Sequence, residues 1–241
     1  MRTIAKSQIV AVVAALLVAV PPALTAPRDS IPTSADIVAR MAERDAEMRA
    51  VFSGYTVLRR YEAVNKHRHA EMLARLVCAA DGGKQFSILH EGGSSAIRKY
   101  VFRKMLKAET DASHGETRES TRIIPANYSF EMVGMAVVDG RLTYVLEIHP
   151  KTKSKYLIRG CIWVDATDYA IARIEGSPAR NPSFWTKSVH FVHTYQKVGA
   201  LWLAASTKSV TDIRIFGTAE LSISNFNYAS ADSQIEARLR P

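Results

Sequence analysis

From residue 128 to residue 228 the chain keeps a two-residue period, and that pattern leaves few architectures open. Leu142, Tyr144, Leu146 and Ile148 alternate with Arg141, Thr143, Glu147 and His149. Tyr156, Ile158, Ile162 and Val164 follow the same rule after a turn at 151–155. Val189, Phe191, His193 and Tyr195 alternate again, and Val198-Gly199-Ala200 turns the chain back. Ile213, Ile215, Gly217, Ala219, Leu221 and Ile223 then share one face, with Arg214, Thr218, Glu220, Ser222 and Ser224 on the other. Successive strand side chains point to opposite faces, so each segment has one apolar face and one wet face. Short turns between them imply an antiparallel meander. Upstream, 55–64 and 69–80 read as a hairpin around Asn65-Lys66, and Asp81-Gly82-Gly83 leads into a further strand at 85–90. The total is about ten strands.

Two segments break the pattern with a helical period. Thr33, with Asp36 three positions on, opens a helix through a capping-box arrangement. Ile37, Met41, Met48, Val51 and Phe52 form its apolar face, opposite Arg40, Glu43, Arg44, Glu47 and Arg49. Residues 94–108 predict a second helix with Ile97, Val101, Met105 and Ala108 as its stripe, and residues 109–122 a polar loop. Each helix needs an apolar surface, and the sheet supplies one. A sheet this wide cannot stay flat. The expected fold is therefore α+β: a curled antiparallel sheet of about ten strands, with an α-helical lid on its concave apolar face.

The N-terminus decides the expected compartment. Arg2 and Lys6 precede an unbroken run of 12 residues, 9–20, drawn only from Ile, Val, Ala and Leu. Pro21-Pro22 ends the run, and Ala23-Leu24-Thr25-Ala26 offers small residues for cleavage. A bilayer core takes about 20 residues, so residues 1–26 read as a signal peptide and the product as soluble and periplasmic, with an uncleaved N-terminal anchor as the alternative. The net charge of +9 would invite a nucleic-acid partner, but export removes that reading. In an oxidising compartment Cys78 and Cys161 become a candidate disulfide, with two buried free thiols as the alternative.

No catalytic chemistry is expected. The sequence holds no GxSxG, HExxH, phosphate-loop or dinucleotide fingerprint, and no cofactor or metal is implied. His67 and His69 share a strand face, but no carboxylate or cysteine can be assigned to them. His190 and His193 are three apart and face opposite sides of a strand. Ser113-His114 has no acid placed to complete a triad. Asp165 and Asp168 bracket a hairpin and fit turn chemistry better than acid–base chemistry.

The element order resembles the outer-membrane lipoprotein carrier family, LolA and LolB, and is similar to the N-terminal domain of the envelope-stress regulator RseB. Local strings carry the resemblance. Phe52-Ser53-Gly54-Tyr55-Thr56-Val57 resembles the family's first helix-to-strand junction. The stretch from Tyr144 to Lys151 resembles its central strand and turn. Cys161-Ile162-Trp163-Val164-Asp165 and the segment from Tyr195 to Trp202 resemble two later hairpins. The resemblance implies that residues 27–241 form one domain, an incomplete β-barrel with a helical lid over a hydrophobic cavity. It also implies a carrier or binding protein for a lipoprotein acyl chain or another lipid. A sensor module that binds lipoprotein or an anti-sigma partner is the alternative. The candidate lining is Ile97, Val101, Met105, Leu142, Tyr144, Leu146, Ile148, Ile158, Ile162, Phe191, Ile213 and Ile215, which could equally form a filled core. Arg98, Arg103, Lys104 and Lys107 on the second helix are candidates for contact with lipid headgroups, an anionic membrane surface or a membrane-bound partner protein.

Overall fold

Ten strands form a single sheet in the order β3-β2-β1-β10-β9-β8-β7-β6-β5-β4, every neighbouring pair antiparallel. The structure is a computed structural model that describes residues 31–181, 186–214 and 217–230. The expected signal peptide and Ile215 therefore lie outside the described residues, as does the side chain of Ile213.

In chain order the elements are α1 (Ser34–Val51), β1 (Tyr55–Asn65), β2 (His69–Cys78) and β3 (Lys84–Gly93). A helical stretch follows: α2 (Ser95–Ile97), a π-helical turn (Arg98–Phe102), α3 (Arg103–Ala112) and α4 (Gly115–Thr121). Then come β4 (Tyr128–Val138), β5 (Arg141–Pro150), β6 (Ile158–Asp165), β7 (Ile171–Pro178), β8 (Thr186–Val198), β9 (Leu201–Ile213) and β10 (Gly217–Ser230). The helices carry the chain from one edge, β3, to the other, β4. The meander then returns until β10 pairs with β1, from Tyr55↔Ser230 to Asn65↔Ala219. The curled sheet stays open, with β3 and β4 as its two edges.

Thr33 caps α1 as its spacing requires. Its hydroxyl accepts from the Asp36 N–H at 3.2 Å, and its own N–H donates to Asp36 Oδ2 at 3.0 Å. The segment expected as a loop at 109–122 instead continues α3 to Ala112 and adds α4.

One sheet face carries both helical layers. Ladder partners run across it without a change of side: Tyr61↔Ile223, Phe191↔Ser209, Ile174↔His193, Ile162↔Ile174 and Leu146↔Ile162. The core on this face is double. Beneath α1, Ile37 and Val38 pack with Tyr144, Leu146, Ile148, Ile162, Val164, Ile174 and Phe191. Beneath the second helical stretch, Phe102 and Leu106 pack with Tyr61, Met72, Ala74 and Ile223. Under the first cluster, Gly160 faces Gly176 across β6 and β7. A Cβ on either would lie 2.1–2.2 Å from a backbone oxygen of the other strand, so only glycine permits this close approach.

The sheet's turns are tied by charge. Asp165, 1% exposed, accepts from Arg141 Nε at 2.6 Å and Nη2 at 2.8 Å, and from the backbone N–H of Thr167 and Asp168. Burial pushes its carboxyl up, but the Arg141 and backbone hydrogen bonds outweigh it and leave it below the usual value. A depressed folded value means the stabilisation is present above the unfolded value of about 3.9 and is lost as pH falls through the folded one. Urea unfolding at pH 7 and pH 3 should therefore show a smaller pH-dependent loss for Asp165→Asn than for the unmodified chain. An equal loss would show that Asp165 does not contribute to acid sensitivity.

Candidate functional site

The helix-covered face is filled at two places and open at a third. Helix α1 buries only its first turns, through Ile37 and Val38, while Val51 at its far end is 68% exposed. Between them Met41 and Met48 point at a cleft of about 340 Å³. Ile123, Ile124 and Pro125 form one wall, from the segment leading into β4. The other wall comes from Tyr169, Ala170, Ile171 and Ile174 around β7, and the far end from Tyr195, Ala200, Leu201 and Trp202 of the β8–β9 hairpin. Burial pushes the Tyr195 hydroxyl up to about 12, as expected for a ring withdrawn from water. The Trp202 indole N–H donates to Asp168 Oδ2 at 2.9 Å, which fixes that ring.

The rim is polar and ties α1 at three points, to the β6–β7 turn, to the β8–β9 turn and to the end of α4. Arg40 donates to the Tyr169 hydroxyl at 3.0 Å and lies over its ring, 5.0 Å from the centroid. Arg44 donates to the Ala200 carbonyl at 3.2 Å. Arg122 pairs with Asp45 and, at 2.6 Å, with Glu119. Contacts between exposed side chains of this kind are worth about 0–1 kcal/mol each, so they close the rim weakly.

The expected lining residues divide into several fates. Tyr144, Leu146, Ile148, Ile162 and Phe191 come together, with Ile158 packed against them, but as filled core and not as the cleft wall. Ile97 and Met105 pack on the second cluster. Val101 is a correction: it is 37% exposed. The π-helical turn inserts one extra residue into the helix, so the stripe after it moves on by one position, to Phe102 and Leu106. Leu142 is a second correction, at 49% exposure; it sits opposite Val137 at the end of the β4–β5 hairpin, where no helix covers it. The candidate disulfide is a third. Cys78 and Cys161 are both free, one on β2 and one on β6, with five strands between them. Neighbouring strands are about 4.8 Å apart, which puts the pair far outside disulfide reach.

The basic residues of the second helical stretch are also divided. Arg98 and Arg103 both pair with Glu91 of β3 at 2.8 Å, and Lys107 pairs with Asp111 at 3.0 Å. Lys104 and Lys99 flank the exposed Tyr100 ring, 5.8 and 5.3 Å from its centroid.

A polar seam between the two cores was not expected. Arg59 of β1, 5% exposed, donates from Nε to Asn225 Oδ1 and from Nη1 to Glu109 Oε2, each at 2.7 Å. Lys84 of β3 reaches Glu109 Oε1, also at 2.7 Å. Burial raises the Glu109 carboxyl, but Lys84 and Arg59 together hold it below its ordinary range. Glu109 thus ties α3 to two strands. The sequence does carry a signal for this seam. Arg59 falls in the inward register of Val57, Tyr61 and Ala63, where an unpaired cation would be costly. His193 adds to the seam, with Nδ1 2.6 Å from Thr207 Oγ1, while His190 on the opposite face lies 3.3 Å from Glu175.

The fold and cleft define a class: an open, curled antiparallel sheet with helices on one face and a small apolar cleft beneath the first of them. Among solved structures the chain is similar to a protein of the DUF1329 family from Desulfovibrio piger, at 13% identity and a TM-score of 0.44, covering 84% of this chain and 94% of that one. It is similar to an outer membrane lipoprotein-sorting protein domain from Vibrio parahaemolyticus, at 11% identity and a TM-score of 0.41, over 80% and 92%. It is also similar to a LolA superfamily protein from Nitrosomonas europaea, at 10% identity and a TM-score of 0.35, over 82% and 93%. No protein-family description and no curated protein matches the sequence.

Proposed function

We propose that this chain is an exported, non-enzymatic binding protein that holds one apolar chain, the acyl chain of a lipid or lipoprotein, in the cleft beneath α1. The observation that carries this reading is the half-docked helix. An amphipathic helix normally buries its whole apolar face. Here Met41 and Met48 face about 340 Å³ of space lined mainly by aliphatic and aromatic side chains. That volume lies within the range of small-molecule sites. Methionine suits such a wall, because its unbranched, polarizable side chain adapts to varied shapes. Each buried methylene of a guest would contribute about 0.8 kcal/mol, so a few suffice to offset the weak rim contacts of Arg40, Arg44 and Arg122. Loading then means that α1 swings about its buried first turns. Tyr100 with Lys99 and Lys104 forms a basic aromatic surface suited to an anionic headgroup layer. Among the described residues no helix is long and apolar enough to cross a membrane.

The test is native mass spectrometry and lipid extraction on protein purified from its host. The unmodified chain should carry a lipid adduct, and Met48→Asp should lose it while keeping its circular dichroism spectrum and melting temperature. Met48 lies outside both buried clusters, so folding should survive. No adduct on the unmodified chain, or an adduct retained in full by Met48→Asp, would overturn the proposal.

A further inference from the structure

We propose that Glu131, Glu147 and His149 form a binding site for a divalent transition-metal ion of the zinc type, on the sheet face turned away from the helices. The site is separate from the cleft and does not depend on its role.

The register of β4 and β5 builds the site. Glu131 stands directly opposite Glu147, and His149 follows two residues on, on the same face. Their neighbours Met132, Leu146 and Ile148 point the other way, toward the core. The nearest ligand atoms of the three all lie within 4.8 Å of one another. His149 Nε2 is 3.5 Å from Glu147 Oε1. Zinc binds carboxylate oxygen and imidazole nitrogen at about 2.0–2.2 Å, which places ligand atoms up to about 4 Å apart. Small side-chain rotations therefore convert this triangle into a coordinated one.

Two physical arguments favour an ion. Like charges placed directly across an antiparallel pair repel, and Glu131 forms no ion pair among the described residues. A dication between the two carboxylates removes that repulsion. The second is rigidity. β5 is paired with β4 at both Glu147 and His149 and with β6 at Glu147, so the backbone under two of the three ligands is held in a ladder. The imidazole decides the class of ion. Calcium and magnesium take oxygen ligands, whereas one imidazole with carboxylates suits zinc and its neighbours. Three protein ligands leave a position for water.

The test uses the whole chain without a histidine tag, stripped with chelator and titrated with zinc chloride by calorimetry. One zinc per chain is expected. His149→Ala and Glu131→Gln should each weaken binding by about tenfold or more, the scale lost when metal sites lose even their outer partners. His190→Ala, a histidine on the same face but paired with Glu175, should leave binding unchanged. All three substituted side chains are outside the core, and circular dichroism verifies folding. Absence of zinc binding would overturn the proposal. So would equal affinity in the unmodified chain and His149→Ala, equal losses in His149→Ala and His190→Ala, or calcium binding as tight as zinc.

Discussion

Glu109→Ala is expected to lower stability by about 3 kcal/mol, because it leaves Arg59 charged and without its carboxylate in a site only 5% exposed. Arg59 would keep Asn225 and Tyr61 as partners, at 2.7 and 3.3 Å, but neither carries a compensating charge. Lys84 would lose its partner too, at less cost, because it is more exposed. Glu109 also fastens α3 to the sheet, so its loss should be felt first in the second helical stretch. Urea unfolding gives the global figure, and amide exchange at Phe102 and Leu106 locates it. A loss below about 1 kcal/mol would mean that water replaces the carboxylate, and the seam would then be a surface feature. The double variant Arg59→Leu with Glu109→Leu should recover much of the loss, since a buried pair is often replaceable by apolar groups of similar volume.

Leu146→Ala is the second large effect, about 3 kcal/mol, within the 2–5 kcal/mol typical of fully buried leucines. Leu146 has no exposed surface and sits between Met132 and Ile162 in the ladder, beneath α1. Its neighbours are held by strands on both sides, so the cavity cannot collapse easily. The contrast with Met48→Asp matters for function. Leu146→Ala should lower the melting temperature by about 6–12 °C, yet the folded protein should still carry lipid. If Leu146→Ala abolished loading at a temperature where it remains folded, the cargo would lie deeper than the cleft beneath α1. The two substitutions together separate a wall from a core, which the alternation pattern alone treats as one surface.

That distinction shows how far the sequence could be read. Most strands were legible because a two-residue period is a local property: 141–150 and 158–165 each declare their own apolar face, whereas the run from Ile213 to Ile223, read as one strand, is divided between the end of β9 and the start of β10, which pair with each other. The helix start at Thr33 was legible for the same reason. The capping and the first apolar turn are set by residues three and four apart. The site was less legible. Tyr144, Leu146 and Ile148 alternate clearly, and the structure packs them into the buried core and not into the cleft wall. The cleft takes Met41, Met48 and Tyr195 from faces the period did show, but is completed by Tyr169, Ala170, Ala200 and Trp202, which lie in or beside turns where no period marks them.

Sequence alone therefore determined the class of element, the face each strand buries and the need for two helices to cover that face. It could do so because side-chain direction follows from backbone period. Three things were decided only by the tertiary structure. Pairing β10 with β1 joins positions more than 150 residues apart, and no local signal encodes that partner. The π-helical turn shifts the inward stripe from Val101 to Phe102, a single-residue change that a helical period cannot anticipate. The last is the cleft itself. Empty space belongs to no residue: it exists because α1 docks through Ile37, Val38 and the inner side of Met41 and leaves a cleft toward Met48, a consequence of how two surfaces meet.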